Sequence, residues 1–560
     1  MANLDESHDS SITASMEKSR ERTPEQPSVG RAEGDIERQG TKEEQQLQEN
    51  DPDKPSMVKI LLVAISLWFA MFLVSLDSTI VANAIPSISD DFQKSSDVGW
   101  YGSGYLLTTA AFQLLYGRVY ANFSIKYTFL AAIGIFELGS LVCGVAPTST
   151  AFIVGRAVAG LGGAGISSGA MIIISHTVPL RMRPIFVGSL GAIFAVASVL
   201  GPVLGGIFAT KLTWRWCFYI NLPFGGVAIL AILVLFKPPK RPELDSIPLK
   251  EKLNKIDVVG TLLFIPSIIC LLLALQWGGS TYAWNNGRII ALFVVFGVVG
   301  IAFLTFEYWK GAEATLPLRM LTRRSVAAAT WNCFCNGATF LTFTYYIPFW
   351  HQIVRNVSAA DAGVRLLPFV LGVVIMAMLS GGLVSKFGYY APMMILSSII
   401  APIGAGLLTT WTVDTSFSKW VGYQALLGMG IGLGQQQPFM AIQTVLSKQD
   451  IPSGIAIVML TQTLSGAIFV SVGASVFQNE LLKNLAGVFS DGDFNASSLT
   501  DLGATQVWSV IPPQYLDVVL TAYNDALTKV YTVALCTSAL TIIGSLTIEW
   551  KSVKKAQDST

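Results

Sequence analysis

Apolar stretches of about 20 residues, the length that crosses the hydrocarbon core of a bilayer, recur along this chain with polar breaks between them. Approximate spans fall at 58–82, 99–117, 128–146, 151–174, 185–209, 217–236, 258–277, 289–309, 326–349, 363–384, 391–411, 420–440, 453–476 and 529–549. Most connections are short. The pattern predicts an all-α integral membrane bundle of about fourteen transmembrane helices. Two connections are long. Residues 237–257 form a basic linker with Lys237, Lys240, Arg241, Lys250, Lys252 and Lys255. Residues 477–528 are polar up to Pro512-Pro513. Beyond that break Tyr515, Leu516, Val519, Leu520, Tyr523 and Leu527 recur at helical spacing, an amphipathic lead-in to the last span.

Composition supports this reading. Of 560 residues, 52% are hydrophobic and 13% charged, with a mean hydropathy of +0.55. Soluble domains carry roughly 25% charged residues, so the excess apolar surface must face lipid. The net charge of +1 points to no nucleic-acid partner. Residues 1–56 differ: fourteen Asp/Glu against seven Lys/Arg and no aromatic residue predict a disordered acidic tail. The tail has no apolar core of a secretory signal. Six cysteines in or beside apolar segments read as small packing residues. With three histidines in the chain, no metal site is expected. No Gly-x-x-x-x-Gly-Lys-Ser/Thr phosphate loop occurs, so nothing supports ATP-driven pumping, and neither a cofactor nor an enzymatic activity is predicted.

Basic residues set the orientation. With the tail in the cytosol, inside connections hold about 19 Lys/Arg and outside ones about nine. Both termini are therefore expected in the cytosol; the host membrane is expected to be the plasma membrane or, alternatively, a vacuolar or vesicle membrane. Asn495-Ala496-Ser497 and Asn356-Val357-Ser358 are glycosylation sequons on outside segments. The similar Asn122-Phe123-Ser124 is predicted to be cytosolic and bare.

Gly117-Arg118-Val119-Tyr120-Ala121-Asn122-Phe123-Ser124 after the second span resembles Gly381-Gly382-Leu383-Val384-Ser385-Lys386-Phe387-Gly388 after the tenth. Both leave the second helix of a six-helix unit if the halves are 57–236 and 326–549, with 258–309 as two inserted helices and 550–560 as a cytosolic tail. Two such halves around a central path are a common plan of secondary transporters.

Charges inside the spans mark the candidate chemistry, because an intramembrane ionisable group is costly and normally faces a partner or a water-filled cavity. Asp77 lies in the outer half of the first span and Arg156 at similar depth in the fourth. Glu137 is near the middle of the third, where it is the acid least easily reached by water. These three are proton-coupling candidates; the alternatives are structural charge pairs, packing, or snorkelling of Arg156. Gly201, Pro202, Gly205 and Gly206 combine a kink with a small packing face in the fifth span. Gln435, Gln436 and Gln437 offer neutral hydrogen-bonding groups to a substrate cavity or to neighbouring helices. Trp214, Trp216, Phe218 and Tyr219 suit an interface belt, and Glu307 reads as interfacial.

These stretches together resemble the major facilitator superfamily, and within it the fourteen-helix drug:proton antiporter branch with its fungal toxin and drug efflux pumps. The resemblance runs from about Ser66 to Trp550. Leu76-Asp77-x-Thr79-Ile80-Val81 looks like the branch's first-helix motif, Arg156 with its glycines like the fourth-helix motif, and Gly201-Pro202-x-x-Gly205-Gly206 like the fifth-helix antiporter motif. Ala274-Leu275-Gln276-Trp277-Gly278-Gly279 and Leu366-Leu367-Pro368 look like the fungal members too. Ala121 stands where the family's loop motif usually carries an acid, Ser124 where it carries Gly, and Ser385 at the acid position of the second half. The resemblance implies proton-coupled export of small, amphipathic drug-, toxin- or secondary-metabolite-like molecules by alternating access, with protons and membrane lipid as the other partners. A proton-coupled importer of a nutrient or iron chelate and a non-transporting sensor of the same fold are the alternatives.

Overall fold

Lipid offers no hydrogen bonds to a backbone, so each span must satisfy its own amides and carbonyls, and the chain does so as helix almost throughout. The computed structural model describes residues 57–94, 97–238, 248–254, 256–279, 282–311, 314–485, 508 and 511–554. The acidic tail, the middle of the basic linker and Asn495 lie outside the described residues.

The first half comprises α1 (Met57–Phe92), α2 (Val98–Asn122), α3 (Ile125–Val145), α4 (Ser149–Thr177), α5 (Arg183–Lys211) and α6 (Trp216–Leu235, interrupted at Ile220). The inserted pair is α7 (Val258–Trp277) and α8 (Gly287–Lys310). The second half comprises α9 (Arg324–Arg355), α10 (Leu367–Phe387), α11 (Ala391–Leu408), α12 (Phe417–Gly434, followed by a short helix Gln437–Val445), α13 (Ile451–Leu485) and α14 (Pro513–Thr547). Among the described residues, eleven helices are long and apolar enough to cross a membrane. The others of comparable length, α2, α9 and α12, are richer in polar or small residues: Gln113 on α2 and Asn332, Asn336 and Thr339 on α9 are buried within the bundle. The lead-in seen in the sequence is continuous with the last span, and Val519, Leu520, Tyr523 and Leu527 pack inward.

Local chemistry places the helix ends. The side chains of Thr148, Asp257, Asn286 and Ser358 accept amides at the starts of α4, α7, α8 and a short helix Ala359–Arg365. Asn356 closes α9 in the left-handed region at φ +49°, which Asn tolerates. Both polar ends of the Asn356-Val357-Ser358 sequon therefore also have a capping role.

The halves repeat one packing scheme. In the first, α4 packs on α2 and α3; in the second, α12 packs on α10 and α11. The halves meet where α5 packs on α10 and α2 on α13, contacts that the repeat exchanges. At the end of the bundle where α2 and α10 finish, these contacts are very close. A β-carbon on Gly117 would meet Ala456 of α13 at 2.6 Å, and one on Gly381 would strike the Pro184 carbonyl of α5. The turns after α2 and α10 are anchored alike. Lys126 donates to the Leu233 carbonyl at the end of α6 (2.7 Å), and Tyr390 to the Glu549 carbonyl just beyond α14 (3.0 Å).

The pair α7–α8 lies against α2 and α13 through α7, while α8 presents Val298, Ile301 and Leu304 outward. A buried Asp257 pins it: its carboxylate accepts from Lys310 (2.8 Å), the Gly260 amide (2.9 Å) and the amide and hydroxyl of Thr315 (both 3.1 Å). Glu307 is not the exposed interfacial acid that its position suggests. The loop after α8 folds back over it, so that it is fully buried and accepts the Leu316 amide at 2.6 Å.

Candidate functional site

Four helices converge on Asp77. Its backbone sits in α1, and its carboxylate receives Arg156 Nη1 of α4 at 2.5 Å and Asn221 Nδ2 of α6 at 3.2 Å. Arg156 also donates from Nε to the Tyr101 carbonyl of α2 at 2.9 Å and lies 4.7 Å from the centre of the Tyr105 ring. Asp77 and Arg156 are 0% and 1% exposed. Two charges so fully removed from water are tolerable only in close, well-bonded geometry, and removal of either strands the other.

Aromatic rings close one side of this pair. Phe152 packs edge-on against Tyr101, Trp214 and Phe218 with centroids 5.1, 5.5 and 5.2 Å away. This corrects the reading of the Trp214–Tyr219 run as an interface belt: Trp214 and Phe218 are core residues, and Trp216 is the ring left exposed. Arg215 stacks on Trp214 and pairs with Asp91 at 2.9 Å, at the outer rim of the cluster.

Glu137 of α3 approaches the same face of α6. Both of its carboxylate oxygens are buried and accept no hydrogen bond. It fits because residue 225 is glycine: a β-carbon there would overlap the Glu137 carboxylate. One turn from Glu137, Ser140 accepts from Asn221 Nδ2 at 3.0 Å. One turn before Gly225 stands Asn221 itself. Asn221 and Gly225 thus join the surroundings of the two acids. Neither stood out in the sequence, because an amide beside aromatic residues resembles an interface group and a glycine carries no side chain to read.

The small face of α5 seats on α1 beside Asp77. Thr79 donates to the Ala197 carbonyl at 3.2 Å. A β-carbon on Gly201 would overlap Thr79 Oγ1, and one on Gly205 the Ile80 carbonyl. Pro202 lies within this helix and Gly206 is half-buried. The three glutamines separate from the acids and from one another. Gln437 donates to Ser380 of α10 at 3.1 Å, Gln436 lies against Gly191 of α5 across the two halves, and Gln435 is largely buried. A cross-half polar contact that the sequence did not reveal has Gln113 of α2 bonded to Ser168 of α4 (2.5 Å) and to Met459 Sδ of α13 (3.4 Å).

The family profile described as Major Facilitator Superfamily matches residues 67–470. The chain is 50% identical over 497 residues to "MFS-type efflux pump MFS1" of Arthroderma benhamiae, covering 89% of this chain and 92% of that one. It is 49% identical over 500 residues to "Efflux pump aflT" of Aspergillus parasiticus, covering 89% of this chain and 97% of that one. Among solved structures, the human organic anion transporter MFSD10 superposes with a TM-score of 0.54 at 12% identity, covering 87% of this chain and 100% of its own; at that identity the likeness speaks for the fold.

Proposed function

The chain belongs to the Major Facilitator Superfamily, and on that footing we propose that it exports small, amphipathic, metabolite- or toxin-like molecules by proton antiport. Several relatives carry efflux-pump names, which supports the direction of transport. The buried Asp77–Arg156 pair is the observation that carries the coupling.

Work for export comes from the proton gradient. One proton moving down about 100 mV releases roughly 2.3 kcal/mol. With Asp77 ionised, the ion pair ties α1 to α4. When Asp77 takes a proton the charge attraction ends, and Arg156 keeps the Tyr101 carbonyl and the Tyr105 ring as partners. α1 is then free to shift, and it carries α5 with it through Gly201 and Gly205. α5 in turn is half of the α5–α10 contact between the halves, so protonation at one depth alters closure at another. Glu137 serves as a second proton station on α3. Of Gln435, Gln436 and Gln437, one or two line the path between the halves as substrate contacts, while Gln437 bonds to Ser380 of α10. The six-helix halves 57–236 and 326–549 rock about that path, with both termini in the cytosol of a plasma-membrane protein glycosylated at Asn495 or Asn356.

Sidedness tests the proposal. In inside-out vesicles, acidifying the lumen should drive a fluorescent amphipathic cargo inward. Loss of cargo from the lumen under the same gradient would indicate import, and no movement would indicate a protein that does not transport.

A further inference from the structure

Asn221 is fully buried, and its two amide atoms are treated unequally. Nδ2 donates to both Asp77 Oδ1 (3.2 Å) and Ser140 Oγ (3.0 Å). Oδ1 is buried and accepts from nothing. An amide has one end that donates and one that accepts, and an unpaired buried carbonyl is unfavourable. This orientation suits one charge state of its neighbour. An ionised carboxylate only accepts, so it calls for Nδ2.

The neutral acid asks for the opposite. Once a proton sits on Asp77 Oδ1, that oxygen becomes a donor, and the nearest unused acceptor is Asn221 Oδ1. Turning the amide over by about 180°, between the two wells of a roughly two-fold terminal sp³–sp² torsion, brings Oδ1 to face Asp77 and Ser140. Both hydroxyls then donate to it. No bond other than O–H forms; the proton that arrives on Asp77 is the whole of the chemistry.

We propose that Asn221 is a positioning residue that inverts its side-chain amide each time Asp77 gains or loses a proton, offering Nδ2 to the carboxylate and Oδ1 to the acid. The inversion gives Asp77 an amide partner of the right kind in each of its two states. It also reaches the second acid. Ser140 is one turn from Glu137 on α3, and Asn221 is one turn from the Gly225 that gives Glu137 its room. A residue that merely packed α6 against α3 would need neither the free acceptor nor the bond to Asp77. The inference rests on the proton-antiport reading only for its effect on transport; the inversion itself is a property of Asp77 and Asn221.

Infrared difference spectra between acid and alkaline pH, with transport in inside-out vesicles alongside, test it. The wild type should show a change in an asparagine side-chain amide band that is absent in Asn221→Leu, a variant of similar size without the amide, and absent in Asp77→Asn. Asn221→Leu should lose at least tenfold in pH-driven accumulation while downhill cargo exchange continues. Asn221→Ser, whose hydroxyl both donates and accepts, should restore part of the accumulation. An amide band that does not respond to pH overturns the inversion. Accumulation at the wild-type level in Asn221→Leu, or loss of both exchange and accumulation in both Asn221 variants, overturns its role in coupling. A wild-type protein that shows the amide change yet ignores the pH gradient leaves the inversion standing and refutes proton antiport.

Discussion

Gly201 of α5 faces Thr79 of α1 with no room between them for a β-carbon. The contact lies two residues past the carboxylate that pairs with Arg156, so the site of charge and the site of close helix packing are one place on α1. Gly201→Leu should therefore displace α5 from α1. Overpacking of this kind typically costs about 1–3 kcal/mol. The expected result is a protein that reaches the membrane with transport reduced more than tenfold. Surface labelling with cargo efflux per surface molecule checks this; efflux at the wild-type rate would show that α5 need not seat on α1.

Asp77 and Arg156 should behave as a pair in stability. Asp77→Asn leaves the Arg156 charge buried without a counter-charge, a loss of about 3–5 kcal/mol. Asp77→Asn combined with Arg156→Leu removes both charges and should recover much of that stability. Thermal melting of the purified proteins reads the cycle. Additive losses in the double variant would mean the two charges are not energetically linked.

Gly225 is the wall against which Glu137 rests. Gly225→Ala places a methyl group where the Glu137 carboxylate lies, so the acid must move. Pairing Gly225→Ala with Glu137→Ala should restore the melting temperature lost by Gly225→Ala alone, although coupling stays impaired. A glycine-to-alanine change that alters neither stability nor transport would remove Glu137 from its assigned place.

The clamp on α7–α8 has a defined acid limit. Burial alone would raise the Asp257 carboxyl, but the Lys310 ammonium, a hydrogen bond with the Glu307 carboxyl and the Gly260 and Thr315 amides outweigh it and bring the group from 3.8 to about 2. A depressed folded-state value means that the contribution to stability is complete above about 4 and is lost as pH falls toward 2. Melting followed across that window should show a component that Asp257→Asn lacks. An identical acid dependence in wild type and variant would show that the clamp contributes nothing.

Charge was the readable part of the site. Asp77 and Arg156 stand out because each interrupts an apolar span, and their similar depths already bring α1 and α4 together. Glu137 is visible for the same reason. What periodicity does not carry is the fold-back of a loop or the burial of an aromatic end. Glu307 sits where an interfacial acid would, and its burial depends on residues 314–316 closing over it. Trp214 and Phe218 have the composition of a belt, yet the packing of α1, α2 and α4 draws them into the core. Asn221 is neutral, so no solvation argument marked it out. Its importance depends on which atoms lie within 3.2 Å of its amide. The helical architecture, by contrast, follows from the spacing of apolar runs, because a chain in lipid has few other ways to satisfy its backbone.

The most direct test of the account is cargo accumulation in inside-out vesicles with an acid lumen, compared among wild type, Asp77→Asn and Glu137→Gln. Wild-type protein should concentrate cargo. Both variants should fail to do so, while at least one still exchanges cargo down its own gradient, because only the proton step has been removed. Undiminished pH-driven accumulation in both variants would contradict the assignment of these acids as the coupling site.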